Sequence, residues 1–436
     1  MTQIQTPLAF DTRLPTDVDG RRINQQPIHV LKSTFRAGLA ARIHRWFRLT
    51  PSFGPDLVHE MLGRMGAHRG QTILDPFSGA GTTAIEAQLQ GFNCVGFEIN
   101  PLLHFVGTTS LDWTLDPAAI TEALRSVLDE FAERRALVER EQLEEKGYFI
   151  PPIHNVHRWW RDDVLRDLSV LVFCIDKVKD TKIRDFFRLS LAGVVVPDLT
   201  NVTLGKLQLH FIDRSEDTID VLKSYRAHTE RMLEDLTTVR EQDGLGTSQV
   251  LYQDSTDLSD LKLDRKIDHV ITSPPYPNRY SYVWNTRPHL YLLRFISNAS
   301  SASELDKKTI GGTWGTATSL LQKGIVKPLN SAVDQVLSPI ADAIRKDDNL
   351  MANYAMHYFN KLTQHVIELD RITSPNVKLA YVVGNSWLKG VYVETDVLLA
   401  DILERLDRPY EVSEIHRFRR RNSGKELFET IVYAQR

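Results

Sequence analysis

The sequence predicts an α/β protein built on a Rossmann-like sheet, and three local patterns carry that expectation. Gln71-Thr72-Ile73-Leu74 reads as a short buried strand, a tight glycine turn follows it, and Ala84 to Leu89 reads as the helix beyond the turn. Cys94-Val95-Gly96-Phe97 reads as a second apolar strand that ends in an acid, Glu98, completing a nucleotide-type βαβ unit. Much further along, Lys266-Ile267-Asp268-His269-Val270-Ile271 reads as a strand running straight into Thr272-Ser273-Pro274-Pro275-Tyr276.

The glycine turn, Asp75-Pro76-Phe77-Ser78-Gly79-Ala80-Gly81-Thr82-Thr83, suits an adenosine-bearing cofactor. Gly79 and Gly81 lack a Cβ, which lets a ligand approach the backbone at a helix N-terminus, and Asp75 leaves the strand end with a carboxylate able to accept hydrogen bonds. Glu98 stands where a ribose-binding carboxylate belongs in such a unit. Gly79, Gly81 and Ala84 also satisfy the loose dinucleotide pattern, so a nicotinamide cofactor is the rival at this point.

The proline loop argues against that rival. Two consecutive prolines fix their φ angles and donate no backbone hydrogen bond, so they stiffen a loop at a strand end and leave carbonyls available as acceptors. An amino group on a base is a poor nucleophile because its lone pair is delocalised into the ring. Acceptors from Ser273 and the neighbouring carbonyls would favour a more tetrahedral nitrogen able to attack a sulfonium methyl in line. Tyr276 supplies a ring against which an extruded base stacks, a contact worth roughly 1–3 kcal/mol.

With these residues on the page, the chain resembles the amino-group DNA methyltransferases, more closely the N4-cytosine type. The resemblance implies a seven-stranded, mostly parallel sheet with a reversed C-terminal strand, S-adenosylmethionine as cofactor and double-stranded DNA as substrate, with the cytosine flipped out of the helix. It assigns catalysis to Ser273, Pro274, Pro275 and Tyr276. It assigns cofactor contacts to Phe53, Asp75, Phe77, Gly79, Gly81, Thr82, Glu98, Asn100 and Asp254, the last of these holding the adenine amine. His44-Arg45-Trp46-Phe47 and Phe53 to Val58 resemble the segment that packs on the methionine end. Val382 to Ser386, His416 to Arg421 and Glu429 to Tyr433 look like the closing strands. A serine before the two prolines leans to cytosine and an aspartate or asparagine to adenine, a distinction the resemblance alone supplies. N6-adenine methylation, methylation of RNA or a protein amide, and a DNA-binding subunit without turnover remain as rivals; intact Asp75, Glu98, Ser273 and Tyr276 oppose the last.

Composition fits a globular enzyme. The chain has 436 residues, 42% hydrophobic and 25% charged, with two cysteines and no long apolar run. These features point to a reducing compartment with no membrane insertion, and the resemblance implies a cytoplasmic, prokaryotic setting. Cytosine carbon-5 methylation needs a thiolate nucleophile. Cys94 lies in an apolar strand and Cys174 in an apolar helix, so both read as packing residues and nitrogen methylation is favoured. Net charge is −3, so a DNA face needs local basic concentration. Two places offer it: Arg36 to Arg48, and Arg417, Arg419, Arg420 and Arg421 around an inward Phe418, where the arginines alternate outward toward phosphates or merely guard a sheet edge. Asn278, Arg279 and Tyr282, just past the loop, are candidates for the lip of the base pocket. His154 and His157 lack a third ligand of suitable spacing, so no metal is expected.

The expected organisation is an N-terminal extension (1–40), a cofactor-binding part (41–112), a helical insertion that supports the sheet or reads the target (113–245), a catalytic-loop part (246–298), a flexible insertion carrying Trp314 (299–349) and a C-terminal part (350–436). In the first insertion Ile120, Leu124, Val127, Leu128 and Phe131 share a helix face, with Gly147 as a stop. Trp160, Val164, Leu168 and Leu171 repeat the spacing, and Ile219, Leu222, Met232, Leu233 and Leu236 do so more loosely. Partners implied by the resemblance are duplex DNA and a cognate restriction or defence component; the recognition sequence is not legible.

Overall fold

The computed structural model describes residues 16–18, 21–28, 34, 36–49, 52–205, 208–311, 319, 321–420 and 427–436. Its central sheet is formed by β1 (Thr16–Val18), β2 (Arg21–Asn24), β3 (Thr72–Asp75), β4 (Asn93–Glu98), β5 (Thr247–Tyr252), β6 (Ile267–Thr272), β7 (Thr373–Gly384), β8 (Glu411–Arg420) and β9 (Phe428–Gln435). The spatial order is β1-β2-β8-β9-β7-β6-β3-β4-β5. From β5 to β8 this is the expected mostly parallel sheet, in which β9 alone runs against its neighbours β7 and β8.

The expected count of seven is corrected to nine, because β1 and β2 extend the sheet. β2 pairs in parallel with β8 at Ile415↔Ile23 and His416↔Asn24, so β8 is not the open edge that its charges suggested. An added strand satisfies backbone groups that an edge would otherwise expose.

Helices cover both faces. On one side lie α1 (Pro55–Arg64), α2 (Thr82–Leu89), α3 (Pro101–Ser110), α4 (Pro117–Arg135), α5 (Asp162–Asp176), α6 (Thr181–Val194) and α7 (Val221–Arg240). Their core is continuous with Ile73, Cys94, Ile271, Ala380 and Ile431 of the sheet. After α8 (Ala299–Lys308), the other face is covered by α9 (Ser331–Arg345), α10 (Asn349–Leu369) and α11 (Thr395–Arg405), which pack on Leu74, Val270, Leu379 and Val432. Among the described residues no helix is long and apolar enough to cross a membrane.

The insertion's helical stripes bury as their spacing predicts: Ile120, Leu124, Val127 and Phe131 on α4, and Val164, Leu168 and Leu171 on α5. Pro117 opens α4 at its first turn and Asp116 caps it by accepting from the Ala118 amide, two features that start a helix well. The helix stops at Arg135 and does not run on to Gly147, because buried Val138 and Leu143 turn the chain back into the core. Asp235 of α7 docks the insertion on the N-terminal segment. Its carboxylate accepts from Arg45 Nε at 2.9 Å and Nη2 at 2.6 Å, and from Trp46 Nε1 at 3.0 Å. Arg45 is thereby taken out of the basic stretch read as phosphate-facing, whereas Arg42 and Arg48 are exposed. The second insertion is helical in α8 and α9, and Trp314 lies outside the described residues.

Candidate active site

The turn after β3 is tightly built and tied to the end of β4. Gly79 and Gly81 adopt φ of +54° and +91°, backbone that side chains resist, and a Cβ on Gly81 would sit 3.4 Å from the Gly107 Cα. The Gly79 amide donates to Glu98 Oε2 at 2.8 Å and the Asn100 amide to Oε1 at 2.7 Å, so the acid at the end of β4 is clamped against the turn. Asn100 caps α3 through Oδ1, which accepts from the Leu102 amide at 3.0 Å. Asp75, 2% exposed, accepts from the Phe77 amide at 3.1 Å and from the Thr272 hydroxyl at 2.6 Å.

Burial dominates both carboxyls. It pushes Asp75 up to about 6 against the hydrogen bonds from the Thr272 hydroxyl and the Phe77 amide. It pushes Glu98 up to about 7 against three backbone donors, with the nearby Asp75 charge adding to the rise.

Asp75, Phe77, Gly79, Thr82, Glu98, Asn100, Phe53, Asp254, Ser273, Pro275 and Tyr282 line one cleft of about 850 Å³ counted to its open mouth. Asp254 is fixed by Thr256, whose amide and hydroxyl both donate to Oδ1, at 2.9 and 2.7 Å. Ser52 holds the Phe53 segment over the turn through a 3.2 Å hydroxyl contact with Thr82, and Glu86 anchors it further by binding His44 at 2.6 Å and His59. Sequence reasoning missed Lys308, Thr309 and Ile310, which close the cleft from the end of α8 with no motif of their own.

The proline loop leaves β6 beside this cleft. Pro274 is buried, while Ser273, Pro275 and Tyr276 are half-buried. The Tyr276 ring lies against Gly384 at the end of β7: a Cβ there would fall 2.6 Å from the ring's Cδ2. Asn278 donates its amide to the Tyr276 carbonyl at 2.8 Å and accepts from the Tyr280 amide at 3.1 Å, folding the segment back on itself. Arg279 is exposed in left-handed backbone, φ +62°, with its amide on the Tyr354 hydroxyl at 3.2 Å. Tyr282 packs edge-on against Tyr280, ring centroids 5.0 Å apart.

The arginine cluster is corrected. Arg417 is buried, 6% exposed, and its guanidinium binds Asp396 at 2.8 Å and Glu394 at 2.9 Å. The strand is covered on both faces, so Phe418 enters one core and Arg417 meets the start of α11 under the other. Arg419 pairs with Glu429 on β9. Arg420 is described only as strand backbone, and Arg421 lies outside the described residues. Both cysteines are buried, and burial pushes the Cys174 thiol up to about 12, the behaviour of packing residues.

The cleft fits an adenosine cofactor. Beside the carboxylates of Asp75, Glu98 and Asp254, buried Ser78 Oγ and Asn100 Nδ2 have no hydrogen-bond partner among the described residues. The strand order from β5 to β8, with β9 reversed, acids ending β3 and β4 and a proline loop ending β6, fits the methyltransferase architecture that the sequence predicts. The comparisons narrow the class. The DNA methylase family of the N6/N4 type matches residues 32–104. Type II methyltransferase M.BsoBI of Geobacillus stearothermophilus is 25% identical, over 94% of this chain and 89% of that protein. M.MvaI of Kocuria varians is 20% identical over 81% and 78%. M.AvaI of Nostoc is 21% identical over 86% and 80%. Among solved structures, the rRNA methyltransferase aviRa of Streptomyces viridochromogenes aligns over 94% of this chain and 96% of its own at 13% identity, with a TM-score of 0.32, too low to identify a shared fold. The chain is thus similar to DNA methylases of the N6/N4 type over residues 32–104 and to type II methyltransferases over most of its length, a likeness that implies S-adenosylmethionine as methyl donor.

Proposed function

We propose that the protein methylates the exocyclic N4 amino group of cytosine at a specific site in duplex DNA, the base being flipped from the helix, as the modification component of a restriction or defence system. The observation that carries this reading is that Ser273 and Pro275 share one cleft with Asp75, Glu98 and Asp254. Bound S-adenosylmethionine supplies an electrophilic methyl on sulfur. In this reading Glu98 accepts from the ribose hydroxyls, Asp254 holds the adenine amine, Asn100 offers its amide donor, and Phe53, Phe77, Gly79, Gly81 and Thr82 shape the remainder of the pocket.

The protein's contribution to the chemistry is to localise a lone pair. Ser273 and the loop carbonyls accept the two amine N–H bonds, prolines 274 and 275 hold those acceptors rigid, and Tyr276 stacks on the extruded ring. Asn278, Arg279 and Tyr282 form the lip. The serine at position 273 favours cytosine, by resemblance to the N4 type. Arg419, Arg420 and Arg421 are retained as phosphate contacts, without Arg417. The segments 41–112, 246–298 and 350–436 form the catalytic body, and 113–245 both braces the sheet and carries DNA contacts.

The reading is tested by offering methyl-labelled cofactor to duplex DNA, RNA and protein in parallel. Label is expected in duplex DNA alone; label confined to RNA or protein overturns the proposal.

A further inference from the structure

Among the described residues, Arg158 and Arg287 lie against aromatic rings with no acid paired to them. Arg287 begins the short helix Arg287–Leu292, just after the Tyr282–Asn285 turn. Its Nε donates to the Trp284 carbonyl at 2.9 Å, and its guanidinium carbon lies 4.5 Å from the Trp284 ring centre and 5.1 Å from that of Trp159. Trp159 is buried and meets Phe211 edge-on, centroids 4.9 Å apart. Phe211 is 37% exposed, and the Arg158 guanidinium covers it at 3.9 Å. The order Arg158, Phe211, Trp159, Arg287, Trp284 thus forms one continuous ladder from the outer face of the helical insertion to the segment that follows the catalytic loop.

The surrounding arginines behave differently. In the same insertion Arg134 pairs with Glu130, Arg135 with Asp167, Arg161 with Asp163 and Arg214 with Asp217. Among the described residues no carboxylate pairs with Arg158 or Arg287, and burial draws the Arg287 guanidinium down from its ordinary value. A partly desolvated cation without a counter-ion is unfavourable unless an anion completes it. Contact with an aromatic face consumes none of a guanidinium's N–H donors, and a planar N–H fork matches a phosphate.

We infer that Arg287 and Arg158 are phosphate clamps for duplex DNA, with Trp284, Trp159 and Phe211 holding their guanidinium planes beside the base pocket. Tyr282, which lines the cleft, is five residues from Arg287 across two short helical turns, so a phosphate held there lies near the flipped nucleotide. The inference rests on the duplex-DNA reading above and names the surface that reading leaves open.

The test measures binding of a duplex carrying the methylated site as a function of salt, for the wild type, Arg287→Ala, Arg287→Lys, Arg158→Ala and the acid-paired control Arg161→Ala. Each alanine change at a clamp is expected to weaken binding about tenfold and to lower the slope of log affinity against log salt by about 0.9, one released counterion, with S-adenosylmethionine affinity unchanged. Lysine at 287 is expected to keep the slope and lose part of the affinity, because it keeps the charge without the planar fork. Arg158 is exposed, so Arg158→Ala keeps the test decisive should Arg287→Ala fail to fold. Unchanged slopes in folded Arg287→Ala and Arg158→Ala, with wild type methylating the duplex, overturn this inference alone and make the ladder mere packing. A wild type that neither binds nor methylates duplex DNA overturns the parent reading and this inference together.

Discussion

The Thr272 hydroxyl donates a 2.6 Å hydrogen bond to Asp75 Oδ1, joining the ends of two adjacent parallel strands. Thr272 immediately precedes Ser273, and Asp75 opens the glycine turn, so one buried contact ties the position of the proposed catalytic loop to that of the proposed cofactor site. Thr272→Val keeps the shape and removes the donor. It is expected to cost about 1–3 kcal/mol of stability, the penalty for a buried acceptor left short. It is also expected to raise the Asp75 pKa above its value of about 6, because that hydrogen bond favours the charged form. A pH profile of cofactor binding that shifts upward in the variant, and returns with Thr272→Ser, is the expected result; a changed Tm with an unmoved profile reduces the contact to packing.

Glu98, proposed to hold the ribose, is expected to make cofactor binding pH-dependent. Its pKa is about 7 in the protein against an ordinary 4.5, so its contribution to folding is fully present below about 4.5 and is lost as pH rises through about 7. Ribose hydroxyls donating to the carboxylate favour its charged form, so binding expels a proton and tightens as pH rises through about 7. Calorimetry in buffers of different ionisation heat is expected to register that proton. Affinity that is flat with pH, or Glu98→Gln that binds as wild type, contradicts the ribose assignment.

Gly384→Ala tests the placement of Tyr276. The new Cβ would meet ring atoms at 2.6 and 2.7 Å, distances no real contact tolerates, so the ring must shift. A displacement near 1 Å at a reacting centre lowers rates about a hundredfold. Single-turnover methylation is expected to fall by that order with S-adenosylmethionine affinity retained. An unchanged rate in the folded variant leaves Tyr276 without a role in the base pocket.

How much was legible follows from whether a residue's partner is close in sequence. The βαβ unit and its acids were readable because Asp75, the glycine turn and Glu98 act within one supersecondary unit, and the stripes of α4 and α5 follow from helical period alone. Arg417 was misread because its partner Asp396 comes twenty-one residues earlier and only the packing of α11 on β8 brings them together. The β1–β2 edge was missed because its two strands are short, and β2 pairs with β8 across some 390 residues. Lys308 to Ile310 reach the cleft by the same kind of distant packing. The ladder from Arg158 to Trp284 joins three separate segments and left no periodic trace.

Arg417→Ala separates the buried network from DNA contact. Removing the guanidinium strands Asp396, which is fully buried and also accepts from Thr430 at 2.9 Å. Loss of one partner of a buried ion pair costs about 3–5 kcal/mol, so denaturant unfolding is expected to show a loss of that size. Full stability combined with weakened DNA binding would return Arg417 to the phosphate face.

The identity of the methylated nucleoside tests the central claim most directly. Protein, S-adenosylmethionine and mixed-sequence duplex DNA are incubated, the DNA is digested to nucleosides, and the products are separated and weighed by mass spectrometry. N4-methylcytosine is the expected product, abolished by Ser273→Ala with Tyr276→Ala. N6-methyladenine alone would contradict the cytosine assignment while leaving the amine-directed cleft in place, and 5-methylcytosine would contradict the chemistry itself.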